Sequence, residues 1–297
     1  MATYTVGAAG TYKTLNAALL YIYNSGVAGD TIEIIDGLGD NGTGGVYIMS
    51  QYVNKAFNLT NSYTENPNLF PLVNHTAGDF YSIFSGSVAC TWSKLRFNDT
   101  FLTGVHIQFA SAVTHKFNRI AFIGGTGDLL FDISGGVGEL DVTNCIFSNI
   151  TKTQFVLCNI GYGSLQVKIR NCTFDTITSW SASDLAADET DNITIQGCIF
   201  TGTTVYPTGN NWRSIIKYSL TSEAITNYGD GCVSAADPRF EKGSSRTLPM
   251  DWKLKRNSPA RNVGRVSSLT TIDIAGNNRL MFDAGAHNIR RNRACAV

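Results

Sequence analysis

A five-membered repeat in the middle of the chain constrains its fold more than any other feature of the sequence. Five phenylalanines mark the repeat, at successive intervals of 25, 25, 27 and 26 residues. A fixed period of this size is typical of proteins built from stacked units, each of which buries its apolar face only against its neighbours. The five residues are Phe97, Phe122, Phe147, Phe174 and Phe200.

Apolar and polar residues alternate before each phenylalanine. Residues 140–147 read LDVTNCIF, residues 167–174 read VKIRNCTF, and residues 193–200 read ITIQGCIF. A period of two indicates a strand with one buried face, so we expect polar side chains at the alternate positions. The residues two positions before each phenylalanine predict a second interior column. They are Leu95, Ile120, Cys145, Cys172 and Cys198.

The repeat predicts a single-domain, all-β fold, a right-handed parallel β-helix with about 25–27 residues per coil. The 29 glycines and 6 prolines favour many short strands joined by tight turns. A leucine-rich repeat has a similar period, but its LxxLxLxxN pattern is absent from the sequence. WD40 blades need about 40 residues per repeat, so the β-helix is the better interpretation.

The seven cysteines are odd in number, widely spaced and without a CxxC motif. This pattern argues against a zinc site or a thioredoxin-type redox motif. Cys145, Cys172 and Cys198 occupy the predicted interior column. We interpret them as packing residues, because an unpaired cysteine behaves as a small buried hydrophobe. A metal or redox role for the three is the alternative.

The N-terminal segment predicts a short capping helix. Leu15, Ala18, Leu19 and Ile22 follow helical spacing, and Thr14 is a suitable N-cap. Such a helix would cover the open apolar end of the stack. We therefore divide the chain into an N-terminal cap (residues 1–29), the β-helix coils (30–235), and C-terminal coils with a cap and a basic tail (236–297).

Short motifs at both ends give a family resemblance. They are YKTLNAA at residues 12–18, GDTI at 29–32, DPRF at 237–240, DWKL at 251–254, NSPA at 257–260, DIAG at 273–276 followed by Arg279, and DAGA at 283–286. With the middle repeat, they resemble the pectate-lyase-like right-handed β-helix superfamily, including bacteriophage virion proteins of the decoration and tailspike type. The resemblance implies the fold; function varies widely within such a superfamily.

The ionisable residues do not form an evident catalytic set. A glycoside hydrolase needs two facing carboxylates, and a lyase needs a base with acidic groups that hold Ca²⁺. Asp141 and Arg170 are spaced to approach each other on neighbouring coils, and Asp175 follows Phe174. These three are the candidates if the protein is an enzyme. The equivalents of Asp175 in other copies carry no carboxylate: Asn98, Ile123, Ser148 and Thr201. We expect no catalytic, cofactor or metal site.

The C-terminal tail carries Arg290, Arg291, Arg293 and Cys295. A solvated tail is the simpler interpretation. The alternative is a tail that clamps a neighbouring subunit, by charge or by a disulfide through Cys295.

We expect a non-catalytic structural protein of a bacteriophage particle: a capsid decoration, head-fibre or tail-associated protein. The formal charge is zero, which argues against nucleic-acid binding, and no apolar run suits a membrane span. The N-terminus lacks a secretory signal, so we expect assembly in the host cytoplasm and location in the virion. The resemblance implies a homotrimer with a phage capsid or tail protein as partner. The alternatives are a polysaccharide lyase or glycoside hydrolase acting on surface glycans, and an adhesin that binds a host surface glycan without cutting it.

Overall fold

The computed structural model describes residues 1–40, 42, 45–49, 55–75, 80–84, 90–98, 105–109, 114–124, 126–132, 139–157, 166–177, 193–202, 216–222, 230–234, 236–243, 245–260 and 263. These residues form parallel strands, one α-helix and two short 3₁₀ helices. The predicted all-β, single-domain parallel β-helix with an N-terminal helix is confirmed. No helix in this described part of the chain is long and apolar enough to cross a membrane.

The helix is α1 (Leu15–Ser25), and the 3₁₀ helices are Pro67–Leu69 and Pro249–Trp252. The strands are β1 (Thr3–Val6), β2 (Asp30–Ile34), β3 (Val46–Met49), β4 (Phe57–Asn61), β5 (Leu72–His75), β6 (Phe80–Phe84), β7 (Cys90–Asn98), β8 (Val105–Phe109), β9 (Thr114–Ile123), β10 (Thr126–Asp132), β11 (Glu139–Thr143), β12 (Ile146–Leu157), β13 (Gln166–Arg170), β14 (Thr173–Ile177), β15 (Ile193–Gln196), β16 (Ile199–Thr201), β17 (Ile216–Lys217) and β18 (Leu220–Thr221).

The strands stack in three parallel series, which are called sheets 1, 2 and 3 below. Sheet 1 runs β1, β2, β4, the first half of β7, the first half of β9, β11, β13, β15 and β17. Sheet 2 runs β3, β5, the second halves of β7 and β9, the first half of β12, β14, β16 and β18. Sheet 3 runs β6, β8, β10 and the second half of β12. Neighbouring strands in such sheets lie about 4.8 Å apart.

A single residue in the left-handed region turns the chain from sheet 1 to sheet 2. The φ angles at this corner lie between 50° and 63° in six coils, at Lys94, Arg119, Asn144, Asn171, Gly197 and Tyr218. Glycine and asparagine tolerate this conformation best. That preference explains why asparagine and glycine share the slot before the cysteine in the last three copies of the repeat.

The structure places the five phenylalanines of the repeat in register on sheet 2. From Phe97 to Phe200 their rings stack with centroid separations of 5.1, 5.1, 5.1 and 4.9 Å. Tyr47 and Val73 extend the same column toward the N-terminus. This earlier part of the chain continues the stack, although its residues obscure the pattern in the sequence.

One sequence expectation is wrong on sheet 2. The residue directly before each phenylalanine lies on the outer face of the sheet, where polar side chains were expected. Arg96, in the first copy, is half-buried, whereas the other four are buried and three of them are apolar: Ala121, Ile146, Thr173 and Ile199. Ala121, Ile146 and Ile199 are buried because the described residues of a later part of the chain, between 236 and 263, pack across this face. We call residues 236–263 the strap.

The helix α1 closes the N-terminal end of the stack. Leu15, Ala18, Leu19 and Ile22 are fully buried against the interior, as their spacing predicted. The Thr14 side chain accepts a hydrogen bond of 3.3 Å from the Ala17 amide, which satisfies one of the free donors of the first turn.

Candidate functional site

Asp141 and Arg170 form an ion pair on the outer face of sheet 1. Asp141 lies on β11 and Arg170 on the next strand of the sheet, β13. The Arg170 Nη2 and Asp141 Oδ2 atoms are 2.6 Å apart. The Thr143 hydroxyl donates to the other carboxylate oxygen, at 2.5 Å. Both oxygens of Asp141 therefore already have partners within the sheet.

A second ion pair lies beside the first on the same face. Lys168 Nζ is 2.6 Å from Glu139 Oε2. The two acidic side chains of the pairs lie on β11, and the two basic side chains lie on β13. Lys116 is in register with Asp141 on the preceding strand, β9, and is exposed. This arrangement is an open, polar sheet face on which charges of both signs neutralise each other in pairs.

Asp175 lies in a different environment. It projects from the outer face of sheet 2 and is 4% exposed, because the strap covers it. Its Oδ2 atom accepts hydrogen bonds from Arg246 Nε and from the Trp252 indole nitrogen, each at 2.8 Å. Arg246 Nη2 is also 2.8 Å from this oxygen, and the Thr176 hydroxyl lies 3.2 Å from Oδ1. Asp175 is thus fully engaged in holding the strap.

The strap and the outer face of sheet 2 enclose a second apolar cluster. The Arg246 guanidinium stacks over the Phe240 ring, 4.9 Å from its centroid. The roles of Arg246, Trp252 and Phe240 were not predicted from the sequence, because these residues lie beyond the last copy of the repeat. The apolar residue before three of the five phenylalanines, Ala121, Ile146 and Ile199, was the available signal that this face is covered. The cluster consists of Phe70, Ala121, Ile146, Ile199, Leu220, Phe240, Trp252, Leu254, Ala260 and Val263.

The structure therefore brings two of the three candidate residues together and separates the third. Asp141 and Arg170 are paired on the open face of sheet 1, whereas Asp175 is covered on sheet 2. A pair of catalytic carboxylates must face each other across a site that substrate can enter. Within the described ranges, no group of three or more His, Cys, Asp or Glu side chains could hold a metal ion.

The three cysteines of the repeat lie in one fully buried column beside the phenylalanines. Each thiol lies 3.3 or 3.4 Å from the carbonyl oxygen two residues earlier, at Thr143, Arg170 and Gln196. Ser219 continues the column and donates to the Lys217 carbonyl at 2.9 Å. At Arg170, Gln196 and Lys217 the same carbonyl oxygen also accepts a backbone N–H, so the thiol or hydroxyl is a second donor at the corner.

The Cys145 and Cys198 thiols of the cysteine column are poorly reactive. The described cysteines, which exclude Cys158 and Cys295, are unpaired. Burial raises the pKa of the Cys145 and Cys198 thiols well above their usual value. Because the thiolate is the reactive form, buried thiols of this kind react poorly.

His115 is the one histidine whose surroundings the structure describes. It is 1% exposed and stands in register between Cys90 on β7 and Leu140 on β11. Burial lowers the pKa of the imidazole to about 4. His115 is therefore neutral at physiological pH and is part of the interior wall.

The proposed inter-subunit residues Arg290, Arg291, Arg293 and Cys295 lie outside the described residues. Comparison with models of known protein families gives no match, and no curated protein is significantly similar in sequence.

Proposed function

We propose that the protein is a non-catalytic structural component of a bacteriophage particle: a capsid decoration, head-fibre or tail-associated protein. One observation carries the non-catalytic part of the proposal. Asp175, one of the three candidate catalytic residues, is buried and bonded to Arg246 and Trp252. Asp141 and Arg170 are likewise bonded to each other. The ionic groups thus serve the fold.

The phage part of the proposal rests on the resemblance of the terminal motifs and the repeat to β-helix virion proteins. A solenoid suits a particle, because its stacked coils form extended surfaces that neighbours can contact. On this proposal the protein assembles in the host cytoplasm, functions in the virion as a homotrimer, and contacts a capsid or tail protein.

Purification of intact particles tests this proposal directly. We expect the protein to remain in stoichiometric amounts with the major capsid protein through density-gradient centrifugation and a high-salt wash. Loss of the protein in the wash, or its absence from the particles, would contradict the proposal. Light scattering of the isolated protein then distinguishes a trimer from a monomer.

A second candidate is a polysaccharide lyase or glycoside hydrolase, favoured by the open face of sheet 1. There Lys116 is exposed beside Asp141, so a basic and an acidic group lie next to each other on accessible strands. Incubation with capsular or pectic polysaccharides tests it by the release of unsaturated products or reducing ends. Turnover that Asp141→Asn and Arg170→Ala abolish would establish an enzyme. The matched control is Glu33→Gln, which changes a carboxylate on the same sheet in the second strand, β2. Binding without products would favour an adhesin.

A further inference from the structure

The strap is a locally folded unit with its own hydrogen bonds. Phe240 and Leu254 form an antiparallel bridge, and the Lys255 amide donates to the Arg239 carbonyl at 2.8 Å. The Ser258 hydroxyl donates to the Pro238 carbonyl at 2.5 Å, which ties the end of the strap to its beginning. These bonds join residues within the strap, so they do not depend on its contact with the coils.

Asp251 reinforces this internal structure. Its Oδ2 atom accepts from the Thr247 and Leu248 amides, at 2.8 and 2.9 Å, and is 2.9 Å from Lys242 Nζ. Burial opposes ionisation of the Asp251 carboxyl, but Lys242 and the two amides outweigh it and lower its pKa. The turn before the 3₁₀ helix Pro249–Trp252 is thereby held in its bound shape.

Side chains anchor the strap to the coils. Asp175 holds Arg246 and Trp252, and the Asn68 side chain accepts a hydrogen bond of 2.9 Å from the Met250 amide. The Ala236 amide also donates to the Thr221 carbonyl at 3.2 Å, and the rest of the contact is apolar, through the cluster on the outer face of sheet 2. Aromatic anchors set in an apolar surface around one buried charge are features of protein recognition sites.

We propose that the outer face of sheet 2 is a peptide-binding surface, that the strap is its intramolecular ligand, and that Asp175 is the latch that keeps the strap in place. The surface selects a segment with aromatic side chains and hydrogen-bond donors for the carboxylate, such as Arg246 and Trp252 supply. In an assembly, the partner of this chemistry is the strap of a second copy of the chain. The proposal does not depend on whether the protein belongs to a phage particle.

A labelled synthetic peptide of residues 236–263 tests the proposal with full-length protein. In wild type the attached strap competes at a high effective concentration, so the free peptide should bind weakly. In the double variant Arg246→Ala/Trp252→Ala the attached strap is weakened, and we expect saturable 1:1 binding at least about tenfold tighter than to wild type. Adding Asp175→Ala to the double variant should weaken peptide binding roughly tenfold or more, because the peptide then loses its charged partner.

The matched control is Arg170→Ala, which breaks an ion pair on sheet 1 and should leave peptide binding as in wild type. Equal peptide binding by wild type and the double variant, or no binding by a double variant with native circular dichroism, would overturn the proposal. If the double variant does not fold, limited proteolysis of wild type decides. Cleavage within residues 236–263 before any cut in the strands of sheets 1 and 2 supports a releasable strap, whereas simultaneous loss of strap and coils contradicts it.

Discussion

The interior of the solenoid and the interface under the strap are both apolar, but they are encoded in different ways. The interior repeats the same residue types at nearly constant intervals, so each coil specifies the packing of the next. At the strap interface, the Asp175 carboxylate bonds to Arg246 and Trp252, which lie 71 and 77 positions later in the chain. No repeat in the sequence indicates these contacts. The period of this solenoid thus specifies its interior, whereas its covered outer face depends on single long-range contacts.

The largest expected effect tests the interior. Phe147→Ala removes a ring stacked between Phe122 and Phe174, and it should lower the free energy of unfolding by about 3–5 kcal/mol. Phe147→Leu is the control that keeps most of the apolar volume and should cost distinctly less. Urea denaturation measures both. A loss below about 1 kcal/mol for Phe147→Ala would mean that the column is not the core.

The next effect concerns pH. Because burial lowers the pKa of His115 from 6.5 to about 4, the folded state binds fewer protons than the unfolded state between these values. The resulting stability is fully present above pH 6.5 and is lost as the pH falls toward 4, by about 3 kcal/mol.

Unfolding of wild type and His115→Leu, at neutral pH and near pH 4, checks this prediction. Leucine follows the precedent of Leu140 on the neighbouring strand, so the variant should fold and should lose much less stability in acid. An equal acid-induced loss in the two proteins would rule out His115 as its source.

A smaller effect tests whether the strap opens separately from the coils. Trp252→Phe keeps an aromatic ring on the buried side of the strap but removes the N–H donor to Asp175, at a cost of about 1–2 kcal/mol. The cost should appear as faster proteolysis of the strap, with little change in urea unfolding of the coils. Equal destabilisation of strap and coils would show that they unfold as one unit.

The smallest effect is expected on the open face of sheet 1. Asp141→Asn breaks the pair with Arg170, whose two side chains are 14% and 22% exposed, and should cost under about 1 kcal/mol. Thermal melting at low and high salt measures the loss, which should shrink as salt screens the pair in wild type. A cost of several kcal/mol would assign Asp141 a structural importance equal to that of the interior.

Much of the fold could be predicted from the sequence because its rules are local and repeated. The alternation before Phe147, Phe174 and Phe200 predicted strands, and helical spacing predicted α1. The earlier coils were harder to recognise, because Tyr47 and Val73 occupy the phenylalanine column there. The single-residue corner was visible only as asparagine and glycine in one slot, since Lys94 and Arg119 hold the same conformation without that signal.

The candidate site was less predictable. The spacing placed Asp141 and Arg170 on neighbouring coils, where they pair. It could not indicate that Asp175 is covered, because its partners Arg246 and Trp252 belong to a segment without the period. The sequence shows a carboxylate beside a repeat residue, but it does not indicate whether that carboxylate contacts solvent, a substrate or another part of the chain.

Hydrogen exchange of the full-length protein, resolved by residue, tests most directly the claim of one stacked interior with a separable strap. We expect strongly protected amides in the paired strands of sheets 1 and 2, 25–27 residues apart between Phe97 and Phe200, and we expect them to open together with a high free energy. Strap amides such as Met250 and Lys255 should exchange through a smaller, separate opening. Protection without this period, or strap and coil amides that share one opening free energy, would contradict the account.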